Sequence, residues 1–339
     1  MTVGEHHFER GVVEVAPWAS LHERAQRFEH PAAELHDVSA GAQRDPEELH
    51  TDSAHQATEP PQRVATVEAE VPRPFARVGG TVGRVTDWQH LLVDDVDPIT
   101  RITLNRPDRR NALSLELMRE LHQALGAATG RVVVIAGAGP AFSAGHDLTE
   151  LNACGTDEAA ELFDTCSRLM LAVQSIPQPV IAQVHGVATA AGCQLVASCD
   201  LAIATTDARF ATPGVRIGLF CSTPMVPLSR SVGPKRAMQM LLTGDLIDAA
   251  TAVEWGLVNE AVPADDLEAT VTALATRISE ASPMVLALGK RTFYEQAGMH
   301  QGDAYQLASK VMTENAATDD AHEGISAFLE KRPPTWTGR

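Results

Sequence analysis

The feature that most constrains the fold is a series of short apolar runs that alternate with helical patterns from about Thr86 onward. The runs RVVVIAG, PQPVIAQVHG and DLAIAT are bounded by charged or turn-forming residues, as buried strands are. Amphipathic patterns over residues 158–174 and 193–198 lie between these runs and predict helices. Strands that alternate with helices pack as a sheet covered by helices. The sequence therefore predicts an α/β core.

The segments on either side of the apolar runs extend this core. HLLVDDVDPITRITLN predicts two strands joined by a turn at Asp97–Pro98. NALSLELMRELHQALGAA predicts an amphipathic helix with Ser114 as its N-cap. After Pro234 the sequence looks wholly helical, so we expect an α/β core over residues 86–262 and a helical C-terminal region over residues 263–339. The apolar face of the first helix consists of Leu115, Met118, Leu121 and Leu125.

The first 85 residues differ in composition from the rest. They hold seven of the thirteen histidines, fourteen acidic residues, eight arginines and no lysine, with several prolines. Low hydrophobicity combined with many charges predicts a disordered N-terminal tail. The three early acids Glu5, Glu9 and Glu14 are unlike a mitochondrial transit peptide, and a secretory apolar region is missing. The sequence alone therefore predicts a cytoplasmic protein.

The charge and the cysteines exclude several classes of protein. The formal net charge is −17, which argues against a nucleic-acid partner, because phosphates need a basic surface. We find no run of ~20 apolar residues, so no membrane span is predicted. The five cysteines form no CxxC pair, and no Cys/His set has the spacing of zinc ligands. They fit a reduced compartment, and we expect no metal site.

Two turns rich in small residues follow predicted strands. GPAFSAGHDL follows RVVVIAG, and HGVATAAGCQL follows PVIAQV. Each turn enters a predicted helix, where the first backbone N–H groups lack intrahelical partners. Two such turns that face each other could direct two amides at one oxygen atom, as an oxyanion hole does. The alternative is a pair of ordinary, tightly packed strand-to-helix turns.

Four motifs in the order LNRPDRRNALS, AFSAGHDL, PVIAQVHGVATAAGCQLVASCDLAIATTDARFATPGVRIGL and EGISAFLEKR resemble the enoyl-CoA hydratase/isomerase (crotonase) superfamily. The resemblance runs from about Thr86 to Arg332, and is closest to the group called enoyl-CoA hydratase domain-containing protein 3. It implies a crotonase-type ββα superhelix core with a helical C-terminal region that serves oligomerisation and CoA contacts. It also implies an acyl-CoA ligand and assembly as a homotrimer or a dimer of trimers.

The resemblance assigns roles to particular residues. The backbone amides of His146 and Ala191 are expected to hold the thioester oxygen while it gains enolate charge. Coenzyme A is expected only as part of the substrate, with no other cofactor. Two departures from the family pattern concern this ligand, because Thr149 replaces a common phosphate-binding lysine and Met312 a common aromatic residue. The positions expected to contact CoA are Arg110, Asn111, Ala112, Leu113, Asp147 and Lys331, with Arg106, Arg109 and Arg332 adding positive charge.

The resemblance also shows where the catalytic pattern of the family is broken. Hydratases of this superfamily use two glutamates, which map onto Gln194 and Gly214. An amide does not accept a proton usefully and glycine has no side chain, so general acid–base hydration by this route is not expected. Candidate substitutes are the side chains of His146, Asp147, Glu150, Glu161, Asp164 and Cys193, each of which has an ordinary structural role as the alternative. Cys221 and Ser222 are candidates for the lining of the acyl pocket.

Three functions remain open at this point. The first is an acyl-CoA enzyme that uses the two amides for isomerisation, decarboxylation, thioester cleavage or remodelled hydration of a fatty-acyl or related thioester. The second is an inactive acyl-CoA-binding or partner-binding pseudo-enzyme in lipid metabolism, which the missing glutamates favour. The third is a serine peptidase on the same fold. It is disfavoured, because Ser143 is not at an oxyanion position and residue 193 is cysteine.

Overall fold

A computed structural model describes residues 88–339 of the chain. The predicted N-terminal tail, residues 1–85, lies outside the described residues. No helix in the described range is both long and apolar enough to cross a membrane.

Nine strands form two sheets in the described part of the chain. The larger sheet has the order β1-β2-β3-β4-β6-β9, in which β1 and β2 are antiparallel and all later pairs are parallel. The smaller sheet has the order β5-β7-β8. The strands are β1 (Leu91–Val96), β2 (Ile99–Leu104), β3 (Val132–Gly137), β4 (Val180–Val184), β5 (Val187–Thr189), β6 (Leu201–Thr205), β7 (Arg209–Ala211), β8 (Ile247–Asp248) and β9 (Glu260–Val262).

Eleven α-helices cover these sheets in residues 88–339, and short 3-10 helices span Pro107–Arg109, Pro213–Ile217 and Ala264–Asp266. The helices are α1 (Leu115–Ala127), α2 (Leu148–Ala153), α3 (Thr156–Ser175), α4 (Ala191–Ser198), α5 (Met225–Ser231), α6 (Pro234–Thr243), α7 (Ala249–Trp255), α8 (Leu267–Ser279), α9 (Pro283–Gln296), α10 (Gln301–Ala316) and α11 (Asp319–Glu330).

The core has two apolar layers, one on each face of the large sheet. Successive side chains of a strand point to opposite faces. In β3, Val133 and Ile135 therefore join the main cluster beneath α1, α3 and α4. Val132 and Val134 join a smaller cluster with Val271 of α8. All four β3 side chains are fully buried, which explains why this strand reads as one continuous apolar run.

The predicted first hairpin and first helix are confirmed. β1 and β2 flank a cis Asp97–Pro98 peptide bond. The hydroxyl of Ser114 accepts a hydrogen bond from the amide of Leu117 at 3.3 Å and so caps α1. Leu117 is fully buried whereas Leu115 is only half-buried, so the apolar face lies slightly differently from the predicted one.

The prediction that the chain is wholly helical after Pro234 is wrong. β8 pairs with β7, and β9 pairs with β6 at the edge of the large sheet. These strands have only two and three residues, which is too short for an alternating pattern to appear in the sequence. β9 ends at Val262, where the helical C-terminal region was expected to begin.

Candidate active site

The two turns rich in small residues lie against each other. The amide of Ser143, in the first turn, donates to the carbonyl of Val187 at 3.2 Å. The amide of Thr189 donates back to the carbonyl of Ser143 at 2.9 Å, and its hydroxyl donates to the carbonyl of Ala144 at 3.1 Å. Residues about 45 positions apart are therefore joined backbone to backbone at the junction between β5 and α4.

This close approach explains why the turns contain small residues. A Cβ atom at Gly192 would lie 2.3 Å from the carbonyl oxygen of Ser143, and no real Cβ comes that close. Gly145 has a φ of +92°, and a Cβ there would lie 2.8 Å from the Cβ of Ala190. Ala190 itself has a φ of +50°, a conformation that L-residues other than glycine seldom adopt.

The amide of His146 is left free by the pairing of its neighbours. Leu113 and His146 form a parallel bridge, in which the amide of Leu113 donates to Gly145 and its carbonyl accepts from Asp147. In a parallel bridge of this kind the middle residue directs its own N–H away from the partner strand. Within residues 88–339, the N–H of His146 has no hydrogen-bond acceptor.

The amide of Ala191 is free for a different reason. Ala191 is the first residue of α4, so its N–H has no intrahelical acceptor, and the described residues supply none from elsewhere. The nitrogen of Ala191 lies 3.2 Å from the position that a Cβ of Gly145 would occupy. The two free amides thus belong to adjacent turns. Both lie near Gly145, whose Cα carries a hydrogen atom where other residues carry a Cβ.

Gln194 and Gly214 supply no carboxylate, and the structure gives each a packing role. The buried Gln194 accepts a weak hydrogen bond from the thiol of Cys166, with 3.7 Å between Sγ and Oε1. The amide of Gly214 donates to the Sγ of Cys221 at 3.3 Å. A Cβ at Gly214 would lie 2.4 Å from the carbonyl oxygen of Leu219. A side chain at 214 therefore requires movement of the backbone.

The imidazole of His146 is buried and uncharged. Burial lowers its pKa to about 4, although the nearby carbonyl of Leu113 opposes this shift. The ring packs edge-on against Phe163 of α3, with 5.4 Å between ring centroids. Neither ring nitrogen has a hydrogen-bond partner among the described residues. At neutral pH this side chain is therefore a neutral group rather than a charged one.

The thiols near the turns also remain protonated at neutral pH. Burial raises the pKa of Cys166 to about 12. Burial and the neighbouring Cys221 raise the pKa of Cys193 to about 12. Burial also raises the pKa of Cys221, and the hydrogen bond from Gly214 opposes this. Because the thiolate is the reactive form, these cysteines are poor nucleophiles and fill space in the core.

The remaining candidate side chains have structural partners or lie on the surface. Glu150 accepts a hydrogen bond from the amide of Leu115 at 3.0 Å and so caps α1 from outside the helix. Glu161 pairs with Arg119 on the surface. Asp164 and Ser222 are exposed. The hydroxyl of Ser143 donates to the carbonyl of Asn111 at 2.8 Å, so it is not free to act as a nucleophile.

The segment expected to contact CoA is held by internal hydrogen bonds. The amides of Asn111, Ala112 and Leu113 donate to carbonyls of Arg106, Arg109 and Gly145. A ligand could therefore be recognised there by the carbonyl oxygens of Asn111 and Leu113, which each accept one hydrogen bond and can accept a second, but not by these N–H groups. The carbonyl of Ala112 already accepts from Arg106 and Ser114. The side chain of Asn111 is fully buried and donates to the carbonyls of Ala138 and Ala141.

The charged residues predicted near CoA differ in their surroundings. Arg109 and Arg110 are exposed, and so is Lys331, which follows α11 with a φ of +56°. Burial alone would raise the pKa of Asp147, but hydrogen bonds from Arg106 and the amides of Thr149 and Glu150 lower it below its usual value. Asp147 is the N-cap of α2, which is an ordinary structural role for an aspartate.

Two features of the site have no clear signal in the sequence. The positive φ of Ala190 cannot be read from an alanine, because glycine or asparagine normally marks that conformation. The contact between Phe163 and His146 joins α3 to the first turn. Opposite charges at Arg106 and Asp147, in two motifs expected to lie near one ligand, could have indicated the ion pair between them.

Comparisons with known proteins show which family the chain resembles. A family model described as enoyl-CoA hydratase/isomerase matches residues 96–339. Enoyl-CoA hydratase domain-containing protein 3, mitochondrial, of Xenopus laevis is 49% identical over 244 residues, which cover 70% of this chain and 83% of that protein. The 2,3-dehydroadipyl-CoA hydratase of Escherichia coli (strain K12) is 37% identical over 254 residues, which cover 74% of this chain and 99% of that protein.

Solved structures are similar over the same range. The crystal structure of human enoyl Coenzyme A hydratase domain-containing protein 3 superimposes with a TM-score of 0.71 at 45% identity, covering 73% of this chain and 100% of that one. An enoyl-CoA hydratase of Mycobacterium smegmatis gives a TM-score of 0.72 at 46% identity, covering 74% and 99%. The predicted fold class and the predicted resemblance, including the group within the superfamily, are confirmed.

Proposed function

Because the chain belongs to the enoyl-CoA hydratase/isomerase family, we propose that it binds acyl-CoA thioesters and holds the thioester oxygen with the amides of His146 and Ala191. The observation that carries this proposal is the pair of unpaired N–H groups on adjacent turns. Donors fixed in this way stabilise an enolate oxygen without reorganising, and each is worth about 3–4 kcal/mol to a transition state.

The surroundings of the two amides favour some reactions over others. Two-glutamate hydration is excluded from the proposal, because Gln194 is an amide and Gly214 has no room for a side chain. The neutral His146 and the protonated thiol of Cys193 are poor proton acceptors. The site is therefore best suited to a reaction that forms an enolate without a protein base. Decarboxylation of a malonyl-type thioester is such a reaction, since the electrons of the broken C–C bond form the enolate and CO₂ leaves.

A second candidate function is supported by the same missing carboxylates. A pseudo-enzyme would keep the acyl-CoA site and carry out no reaction. In that case the two amides hold the thioester oxygen of a bound ligand without turning it over.

The binding proposal is tested with two ligands that differ by one carbonyl group. Calorimetry compares butyryl-CoA with S-butyl-CoA, a thioether that lacks the carbonyl. We expect butyryl-CoA to bind about tenfold tighter, because each neutral hydrogen bond contributes about 0.5–1.5 kcal/mol. Infrared difference spectra should show a lower C=O stretching frequency in the complex. Equal affinities and an unshifted carbonyl band would contradict the proposal.

Turnover separates the enzyme from the pseudo-enzyme. The protein is incubated with malonyl-, enoyl- and hydroxyacyl-CoA thioesters, and the products are followed by mass spectrometry. We expect loss of CO₂ from a malonyl-type substrate and no hydration of an enoyl-CoA. If no substrate is converted although butyryl-CoA binds, the pseudo-enzyme is the correct function. Gln194→Glu serves as the comparison, since it restores one family carboxylate without a change at the crowded position 214.

Coenzyme A contacts, assembly and cellular location belong to the same proposal. We keep Arg110, Lys331 and the segment 111–113, through the carbonyls of Asn111 and Leu113, as CoA contacts. We also keep the expectation of no further cofactor and of a homotrimer or dimer of trimers as the assembly. The names of several similar relatives place those proteins in mitochondria. The sequence of this chain predicts a cytoplasmic protein, and fractionation of cells that express the full chain would distinguish the two locations.

A further inference from the structure

A part-buried ion pair lies beside the first turn. Arg106 and Asp147 are 3.1 Å apart between Nη2 and Oδ2, and their side chains are only 18% and 13% exposed. The other terminal nitrogen of Arg106 donates to the carbonyl of Ala112 at 2.7 Å. One guanidinium therefore contacts both chain segments that form the bridge between Leu113 and His146.

The bridge is the reason that the amide of His146 is free. The amide of Asp147 donates to the carbonyl of Leu113 at 3.2 Å, and the amide of Leu113 donates to the carbonyl of Gly145 at 2.8 Å. If the segment of Ala112 and Leu113 separates from that of Asp147, these two hydrogen bonds lengthen and the peptide between Gly145 and His146 can rotate. The orientation of the His146 N–H thus depends on what holds the two segments together.

We propose that Arg106 and Asp147 are positioning residues that aim the amide of His146 at the thioester oxygen. This inference rests on the proposed function of the two amides. The planar guanidinium suits the role, because it presents several N–H donors in a fixed arrangement and can hold a carboxylate and a carbonyl at once. The carboxylate of Asp147 also accepts a hydrogen bond from the amide of Thr149 at 3.1 Å. The carboxylate that pairs with Arg106 therefore also caps the start of α2.

The role differs from that expected of a CoA contact. A residue that binds the coenzyme affects every CoA ligand equally. A residue that aims the amide affects only ligands that carry a carbonyl group. The ratio of the dissociation constants of S-butyl-CoA and butyryl-CoA therefore reports positioning, while the affinity for S-butyl-CoA reports coenzyme contacts and the fold.

The test uses Arg106→Lys and Asp147→Asn in the full chain. Lysine keeps the positive charge of Arg106 but lacks the planar guanidinium with its several donors. Asparagine can still act as the N-cap of α2 but carries no negative charge. We expect each variant to lower the ratio by about threefold, roughly the share of one of the two hydrogen bonds that together give the tenfold preference. The C=O stretching frequency of bound butyryl-CoA should move toward that of the free ligand, while S-butyl-CoA binds within about twofold of its original affinity.

Three outcomes overturn the inference. They are an unchanged ratio and frequency, an equal loss of affinity for both ligands, and a ratio that falls equally in the control. The control is the exposed pair Arg236 and Glu254, changed to Arg236→Lys and Glu254→Gln. If the unmodified protein already binds both ligands equally, the proposed function itself fails. Thermal melting identifies a variant that does not fold. If either Arg106→Lys or Asp147→Asn does not fold, the other of these two variants decides the test.

Discussion

At the scale of the residue, His146 combines two separable properties. Its backbone amide is free because the neighbouring residues pair with Leu113. Its imidazole is buried against Phe163 with both ring nitrogens unpartnered. Buried polar atoms without partners cost free energy, whereas the amide does not depend on the side chain. Substitution of the side chain therefore tests the imidazole alone.

We predict that His146→Leu increases stability, and more so at lower pH. The pKa of about 4 in the folded protein is below the unfolded value of 6.5, so the unfolded chain binds more protons between these values. His146 therefore does not reduce the free energy of unfolding above pH 6.5. Between pH 6.5 and pH 4, protonation of His146 in the unfolded chain lowers the free energy of unfolding by about 1.4 kcal/mol for each pH unit. Leucine removes this loss, together with the unpartnered nitrogens.

Urea unfolding at pH 7.5 and pH 5 measures the effect. The gain of His146→Leu should be about 1–2 kcal/mol larger at pH 5 than at pH 7.5. His322→Leu, at an exposed position on α11, is the control for the replacement of a histidine by leucine. Parallel pH profiles for the unmodified protein and His146→Leu would show that the imidazole is not held neutral.

At the scale of the element, the start of α4 is fixed by contact between two backbones. The space beside Gly192 is occupied by the carbonyl of Ser143, whereas Gly289 in the exposed middle of α9 has no atom near its Cβ position. Replacement of glycine by alanine is therefore expected to have opposite effects on stability at Gly192 of α4 and at Gly289 of α9.

We predict that Gly192→Ala destabilises the protein by about 1–3 kcal/mol, since the two turns must separate to admit the methyl group. It should also lower the preference for butyryl-CoA over S-butyl-CoA, because both free amides move. Gly289→Ala, the matched control, should raise stability by up to about 1 kcal/mol through helix propensity. Chemical unfolding and calorimetry measure the two effects, and similar stabilities for both variants would refute the contact.

A second element depends on one buried lysine. Lys290 of α9 donates to the carbonyls of Val173 and Gln178, each at 2.8 Å, and its Nζ lies 2.7 Å from the carboxylate of Asp200. Burial lowers the pKa of Lys290, and the charge of Asp200 opposes this. The phenol of Tyr294 donates to the other oxygen of Asp200 at 2.8 Å. These bonds attach α9 to the end of α3 and to the start of β6.

We predict that Lys290→Met lowers the free energy of unfolding by about 3–5 kcal/mol, because it leaves a buried carboxylate without its cation. The control is Lys310→Met in α10, where the ammonium is exposed and 3.9 Å from Glu314. That change should cost less than about 0.5 kcal/mol. Urea unfolding measures both variants. A loss below about 1 kcal/mol in Lys290→Met would mean that other contacts hold α9 in place.

At the scale of the whole molecule, the C-terminal helices carry exposed apolar side chains. Phe328 is 83% exposed and Leu329 is 73% exposed on α11, while Phe293, Tyr305 and Met312 are also exposed on α9 and α10. Exposed apolar surface of this kind is typical of a protein interface. It supports the expected assembly of several copies through the C-terminal region, in agreement with the closed symmetry of most oligomers.

We predict that Phe328→Ser combined with Leu329→Ser reduces the assembly to smaller species. The two large apolar side chains would contribute about 1.5–3 kcal/mol each if an interface buries them. Sedimentation velocity of the full chain measures the mass. Ser326→Asn, at a polar exposed position of the same helix, should leave the mass unchanged. A monomeric unmodified protein, or an unchanged mass of the double variant, would contradict this interface.

The main strands and the first helix were predictable because their signals are local. The apolar runs of β3, β4 and β6 and the N-cap of α1 can be read from a few neighbouring residues. β8 and β9 were missed because a strand of two or three residues has no pattern of its own. Their existence depends on partners that lie earlier in the chain, about 38 residues before β8 in the case of β7 and 57 residues before β9 in the case of β6.

The amino-acid sequence shows that two small-residue turns precede predicted helices and that residues 194 and 214 are Gln and Gly, which carry no carboxylate. The tertiary contacts were needed to show that Leu113 pairs with the residues flanking His146, that Gly214 has no room for a side chain, and that Arg106 faces Asp147. The physical reason is how far apart along the chain the interacting residues lie. Turn chemistry and missing carboxylates are properties of single positions, whereas a free amide or a crowded glycine depends on segments that the fold brings together.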